Sequence, residues 1–165
     1  MAEPRIARRE SLRVWQAALW PDAAAAGAQA LAAAVGASPA DRGRVAAGPG
    51  GALARIGPLK WWVIDGPRPA LDPALGVALD LSCEQAAFDI DGPGAADLLA
   101  RIVAVDLRDR GFPPGAFAAT GGRRLILKLW RRGGAAWTLF TMRSTGECLE
   151  EILHESRRNL QWRDA

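Results

Sequence analysis

Few side chains in this 165-residue sequence have the type and spacing that chemistry needs. Its one histidine, His154, stands among Glu150, Glu151, Glu155 and Arg157. A single imidazole rules out most nucleophile–base pairs and most zinc sites, which draw on several histidines or cysteines. A lone general base is the catalytic reading of His154. A solvated residue on an acidic helix face shared with Glu147 is the plainer one, and it ranks first. Asp80, Asp106 and Asp109 offer carboxylates to a substrate, although aspartates at strand and helix ends ordinarily serve as caps. Gly48-Pro49-Gly50-Gly51 lacks the Lys-Ser/Thr ending of a phosphate loop, and its proline interrupts the row of N–H donors. Gly92-Pro93-Gly94 lies between a strand pattern and a helix pattern, as a dinucleotide fingerprint does, but Asp97 takes the place of the third glycine. Cys83 and Cys148 have no metal spacing and no C-x-x-C, and read as buried thiols of a reducing compartment. No catalytic, cofactor-binding or metal-binding residue is assigned on these grounds.

The elements that would position such residues are better marked. Residues 12–19 alternate large apolar with polar or small side chains, a strand pattern. Asp22 is placed to cap a helix running to about Val35, with Gly36 as its stop. Residues 37–51, rich in Gly, Pro and Arg, read as loop. Residues 52–56 and 61–64 form a hairpin about the turn at Gly57-Pro58-Leu59-Lys60, and 66–73 is a second loop. Residues 86–90 are a strand. Gly92-Pro93 then opens a helix, with Pro93 in the first helical position and Leu98, Leu99, Ile102 and Val103 as its apolar face. After Phe112-Pro113-Pro114-Gly115, the aliphatic run 125–130 predicts a strand covered on both sides. Arg131-Arg132-Gly133-Gly134 turns the chain into a partner strand at 136–140. Ser144-x-x-Glu147 is a capping box for a last helix that buries Leu149, Ile152 and Leu153.

Composition sets the outer bounds. Half the residues are hydrophobic and 24% are charged, a balance that sets the chain apart from disordered sequences. The net charge of +3 comes with arginines in short runs at termini and turns, not in a stripe, so nucleic acid is not an expected partner. The alanine-rich stretch 23–35 is too short and too weakly apolar to span a bilayer. The first residues lack a secretion-signal pattern, and the expected location is cytoplasmic. Seven Trp against four Phe and no Tyr is an unusual aromatic set. Core filling is the first use of those rings; ligand stacking and protein interfaces are the others.

From roughly Leu12 to Leu153, the chain resembles the gamma subunit of heterotetrameric sarcosine oxidase and related N-methyl-amino-acid oxidoreductases. The matching residues begin with Gly57-Pro58-Leu59-Lys60-Trp61-Trp62-Val63-Ile64, then Gly92, Pro93, Ala95, Leu98, Leu99, Asp106 and Leu107. Phe112, Pro113, Gly115, Thr120, Trp137, Leu139, Arg143 and Ser144 complete the set. More widely the chain is similar to the folate-binding fold of the glycine-cleavage aminomethyltransferase, where Asp-x-Ser precedes Gly-Pro-x-Ala as Asp80-Leu81-Ser82 does here. The resemblance implies an α+β fold of antiparallel sheets with packed helices, one domain over 1–165 with lobes of approximately 1–79 and 80–165. It implies a non-catalytic structural subunit beside alpha, beta and delta-type partners, which would carry FAD, FMN, NAD, tetrahydrofolate and zinc, with no cofactor on this chain. The aminomethyltransferases carry their catalytic acid after a Gly-Gly pair; here Gly121-Gly122 is followed by Arg123-Arg124-Leu125-Ile126, which has none. Trp61, Trp62, Trp130, Arg131, Arg132 and Trp162 are the expected contacts with partner subunits. A free-standing tetrahydrofolate-binding protein of the same fold is the alternative.

Overall fold

The computed structural model describes residues 3–161. They form two compact units, one continuous over Ser11–Cys83 and one built from the residues up to Glu10 together with those from Glu84 onward. The first strand, β1 (Arg5–Arg8), therefore belongs with the C-terminal half of the chain.

The N-terminal unit is an antiparallel sheet of β2 (Val14–Leu19), β3 (Val45–Gly48), β4 (Gly51–Arg55), β5 (Lys60–Ile64) and β6 (Gly76–Asp80), in the order β3-β4-β5-β2-β6. One face packs on α1 (Ala24–Val35). Ala17, Leu19, Leu53, Trp61 and Val63 of the sheet meet Ala28, Leu31, Ala32 and Val35 of the helix there. Small helix residues permit the close approach: a Cβ on Gly27 would lie 2.6 Å from Leu19 Cδ2. The helix stops at Gly36 in the left-handed region (φ 67°), as the sequence predicts. Asp22 is not its cap, because a 3-10 turn over Pro21–Ala23 precedes the helix and puts Ala23 at the cap position, with no side-chain bond. The expected loop at 37–51 contains β3, whose pairing runs from Val45↔Ala54 to Gly48↔Gly51. A small-residue strand such as Val-Ala-Ala-Gly has little propensity of its own and is held by its partner.

The C-terminal unit has the strand order β1-β7-β10-β9-β8, all antiparallel, with β7 at Gln85–Asp91, β8 at Phe117–Gly122, β9 at Leu125–Arg131 and β10 at Ala136–Met142. Two helices, α2 (Ala95–Leu99) and α3 (Gly146–Gln161), cover one face. Phe88, Ile90, Leu98, Leu99, Leu127, Leu129, Trp137, Leu139, Leu149 and Leu153 form the core between them. Pro93 does not open α2. Gly94, at φ 78°, holds the cap position, and the helix is one short stretch from Ala95. Ile102 and Val103 lie in the turn beyond it and are still buried. β9 is not covered on both sides, for Leu127 and Leu129 are buried while Ile126 is 67% exposed. The last helix begins after Ser144, which lies in a 3-10 turn over Arg143–Thr145, so the predicted capping box does not form. There the Thr145 hydroxyl donates to the Met142 carbonyl oxygen at 3.0 Å and lies 2.8 Å from the Thr141 hydroxyl. Both cysteines are exposed, contrary to the expectation of buried thiols. Cys83 lies in the turn after β6, and Cys148 on the open side of α3 beside the buried Leu149.

Candidate functional site

The aspartates that might have served a substrate are each occupied by a neighbour. Asp80 ends β6; its Oδ1 accepts the Ser82 N–H at 2.9 Å and the Ser82 hydroxyl at 2.6 Å. The Ser82 oxygen in turn accepts the Val14 N–H at 3.1 Å, tying the turn to β2. Those bonds hold the Asp80 carboxyl below its ordinary pKa, the hydroxyl contributing most. Asp106 is gripped by Arg108, with Nε and Nη2 each 2.7 Å from a carboxylate oxygen and the backbone N–H at 3.2 Å. This fork brings the Asp106 pKa down to about 2 and raises that of Arg108. Asp109 pairs with Arg131 at 2.7 Å.

Arg131 is the best-connected side chain of the C-terminal unit. It is 6% exposed, and its guanidinium lies 4.8 Å from the centroid of the Trp137 ring. Nη1 donates to the Phe112 carbonyl oxygen at 2.7 Å, Nη2 to Gly134 at 2.8 Å, and Nε to Gly133 and Gly134 at 3.1 and 3.2 Å. Phe112 itself stacks on Trp137 at 5.9 Å. Arg131 thus fastens the Phe112-Pro113-Pro114-Gly115 loop to the β9–β10 turn. Arg132 joins a second network: it reaches Asp91 at 2.5 Å and the Trp137 carbonyl at 3.1 Å, and lies 3.5 Å from Asp89. Asp89 also takes Arg9 at 3.1 Å and the Thr138 hydroxyl at 2.6 Å. Sequence reasoning passed over this network. Its signal was the alternation of Asp89 and Asp91 with the core residues Phe88 and Ile90, which puts both acids on the face opposite the core.

Of the expected partner contacts, Trp61, Trp62 and Arg131 spend their surface inside the chain. The two indoles are 3% and 1% exposed; Trp61 packs on α1, and Trp62 donates to Gln16 at 3.3 Å. The hydrophobic run and the tryptophan pair mark a core strand as readily as an interface, and in this chain both indoles lie in the core. Trp130 and Arg132 are half-buried, and Trp162 lies outside the described residues. His154 is half-buried on α3, beside Glu147, Glu150, Glu151 and Arg158 in a shallow surface groove. Glu150 in that group is paired with Arg8 at 3.1 Å.

No group of three or more His, Cys, Asp or Glu side chains among the described residues is arranged to hold a metal ion. The Gly121-Gly122 pair ends β8, and the turn into β9 is made by Arg123 and Arg124, both in the left-handed region at φ 50° and 66°. Gly122 is required by close approach, since a Cβ there would collide with the Ile102 carbonyl oxygen. Leu125 and Ile126 follow, so the segment offers no carboxylate to a folate amine. No helix among the described residues is long and apolar enough to cross a membrane.

No protein-family model matches the chain, and no curated protein sequence matches it. Solved structures do. A chain of the heterotetrameric sarcosine oxidase from Corynebacterium sp. U-96 superposes with a TM-score of 0.80 and 26% identity, covering 94% of this chain and 84% of that one. The glycine cleavage system aminomethyltransferase T from Bartonella henselae superposes with a TM-score of 0.59 at 13% identity, over 92% of this chain and 45% of that one. The second likeness is one of fold. The antiparallel sheets, the packed helices and the nearly full-length superposition make this chain a structural relative of the heterotetrameric sarcosine oxidase family, with the α+β fold of the folate-binding aminomethyltransferases.

Proposed function

We propose that this chain is the gamma-type, non-catalytic subunit of a multi-subunit, flavin-dependent oxidoreductase acting on sarcosine or a similar N-methylated amino acid. The observation that carries the reading is the span of the likeness: 94% of this chain against 84% of a sarcosine oxidase chain. The chain corresponds to most of one subunit there, but to 45% of the aminomethyltransferase. The side chains support a scaffold. Asp80, Asp106, Asp109, Arg131 and Arg132 all hold turns, loops and strands of this chain to one another. In this reading FAD, FMN, NAD, tetrahydrofolate and zinc belong to alpha, beta and delta-type partners in the cytoplasm. Of the six expected contacts, Trp130 and Arg132, half-buried in this chain alone, and Trp162 are the first to test.

Co-expression with flavoprotein subunits of a sarcosine oxidase-type complex, followed by size exclusion, tests the assembly. Co-elution is expected, and a chain that stays monomeric beside them overturns the reading. Titration of the isolated chain with tetrahydrofolate separates the alternative. No saturable binding is expected, whereas stoichiometric binding would favour a free-standing folate protein.

A further inference from the structure

The N-terminal unit carries a groove of about 410 Å3, walled by Ala24, Ala25 and Ala28 of α1, with Trp61 and Arg55 on the side of the β4–β5 hairpin. In the other unit, Arg9, Arg131 and Arg132 each meet an aspartate. Arg55 meets no carboxylate among the described residues. Its Nη2 donates to the Pro58 carbonyl oxygen at 2.9 Å, its guanidinium lies 5.2 Å from the centroid of the Trp61 ring, and its Nε is buried with no acceptor. A cation drawn partly out of water is costly unless an anion replaces the lost hydration. A guanidinium held over an indole, with one nitrogen anchored to the backbone, loses less freedom on pairing with a carboxylate than a free side chain would. Asp41 lines the same groove. Its charge opposes any anion, and a polyanion more strongly than a single carboxylate.

We propose that this groove binds a small organic monocarboxylate, with the carboxylate on Arg55 and a compact apolar body against the alanine wall of α1. The volume is in the range of small-molecule sites, roughly 300–1,000 Å3. The site belongs to the N-terminal unit alone.

The probe is benzoate, titrated into the full chain by calorimetry and by NMR of the arginine Nε–H resonances. Benzamide serves as the neutral isostere and citrate as the polyanion. Benzoate is expected to saturate one site and shift the Arg55 resonance. Benzamide and citrate are expected to bind weaker by roughly tenfold or more. Arg55→Met keeps the stem over Trp61 and is expected to lose binding by the same factor, while Asp41→Asn tightens it. If Arg55→Met does not fold, Ala25→Phe fills the groove from an exposed position and is expected to abolish binding. Equal binding of benzoate and benzamide, full binding by Arg55→Met or Ala25→Phe, or no saturable site for benzoate overturns the proposal.

Discussion

A guanidinium withdrawn from water must find an acceptor for each edge of its fork, and Arg131 finds them in backbone carbonyls from two separate turns. Replacing it leaves those carbonyls short of a donor. Arg131→Met should lower the unfolding free energy by about 1–3 kcal/mol, read from the denaturant midpoint. Arg131→Lys should recover little, since an ammonium cannot serve carbonyls on both sides of a fork. Asp109→Asn should cost less, about 0–1 kcal/mol, because Asp109 is 86% exposed. Asp106 supplies a pH prediction. Its folded pKa of about 2 lies below the ordinary 3.8, so whatever Asp106 contributes is complete above 3.8 and fades as pH falls through about 2. Carboxyl-carbon NMR should place its titration near 2, and Arg108→Gln should return it towards 3.8.

The β8–β9 turn is the element that agrees least with its own residues. Two arginines occupy left-handed conformations there, although glycines stand immediately before them. A left-handed L-residue costs about 1–2 kcal/mol. Arg123→Asn with Arg124→Gly should therefore raise the melting temperature, and Gly122→Ala should lower it by forcing the strand off Ile102. The same turn shows what sequence can and cannot reveal. The β9–β10 hairpin was legible because branched and aromatic runs flank a short Gly-containing turn, and the β4–β5 hairpin because Trp61-Trp62-Val63-Ile64 follows another. β3 was not, because Ala and Gly carry no strand signal until β4 supplies hydrogen bonds. The helix starts at Asp22, Pro93 and Ser144 were misplaced for a shared reason. Each helix is entered through a turn or a left-handed glycine that displaces the expected cap. The scaffold's aspartates were legible as local turn formers, but the Arg55 groove was not. It depends on α1 and the β4–β5 hairpin lying together, which no spacing encodes.

At the scale of the molecule, β1 closes the C-terminal sheet by pairing from Arg5↔Asp91 to Arg8↔Phe88. Arg9 adds its bond to Asp89, and Arg8 its bond to Glu150 of α3. Removing residues 1–10 should strip β7 of that edge. Faster amide exchange along Gln85–Asp91 and self-association in sedimentation are the expected results, because an unpaired strand edge is a template for another chain. Unchanged exchange would show that β1 contributes nothing to the edge.

That strand also sets a schedule. Arg9 and Asp89 are 80 residues apart. At roughly 5–20 residues per second of synthesis, β1 emerges on the order of ten seconds before β7 exists. The continuous N-terminal unit, Ser11–Cys83, is synthesised before β7 is complete. β1 must wait as an exposed segment, and its Arg5 and Arg8 bracket the short apolar pair Ile6-Ala7. Charges placed at both ends of an unpaired strand are gatekeepers against premature aggregation. Arg8, which later pairs with Glu150 of α3, first helps keep the nascent chain from the wrong partner.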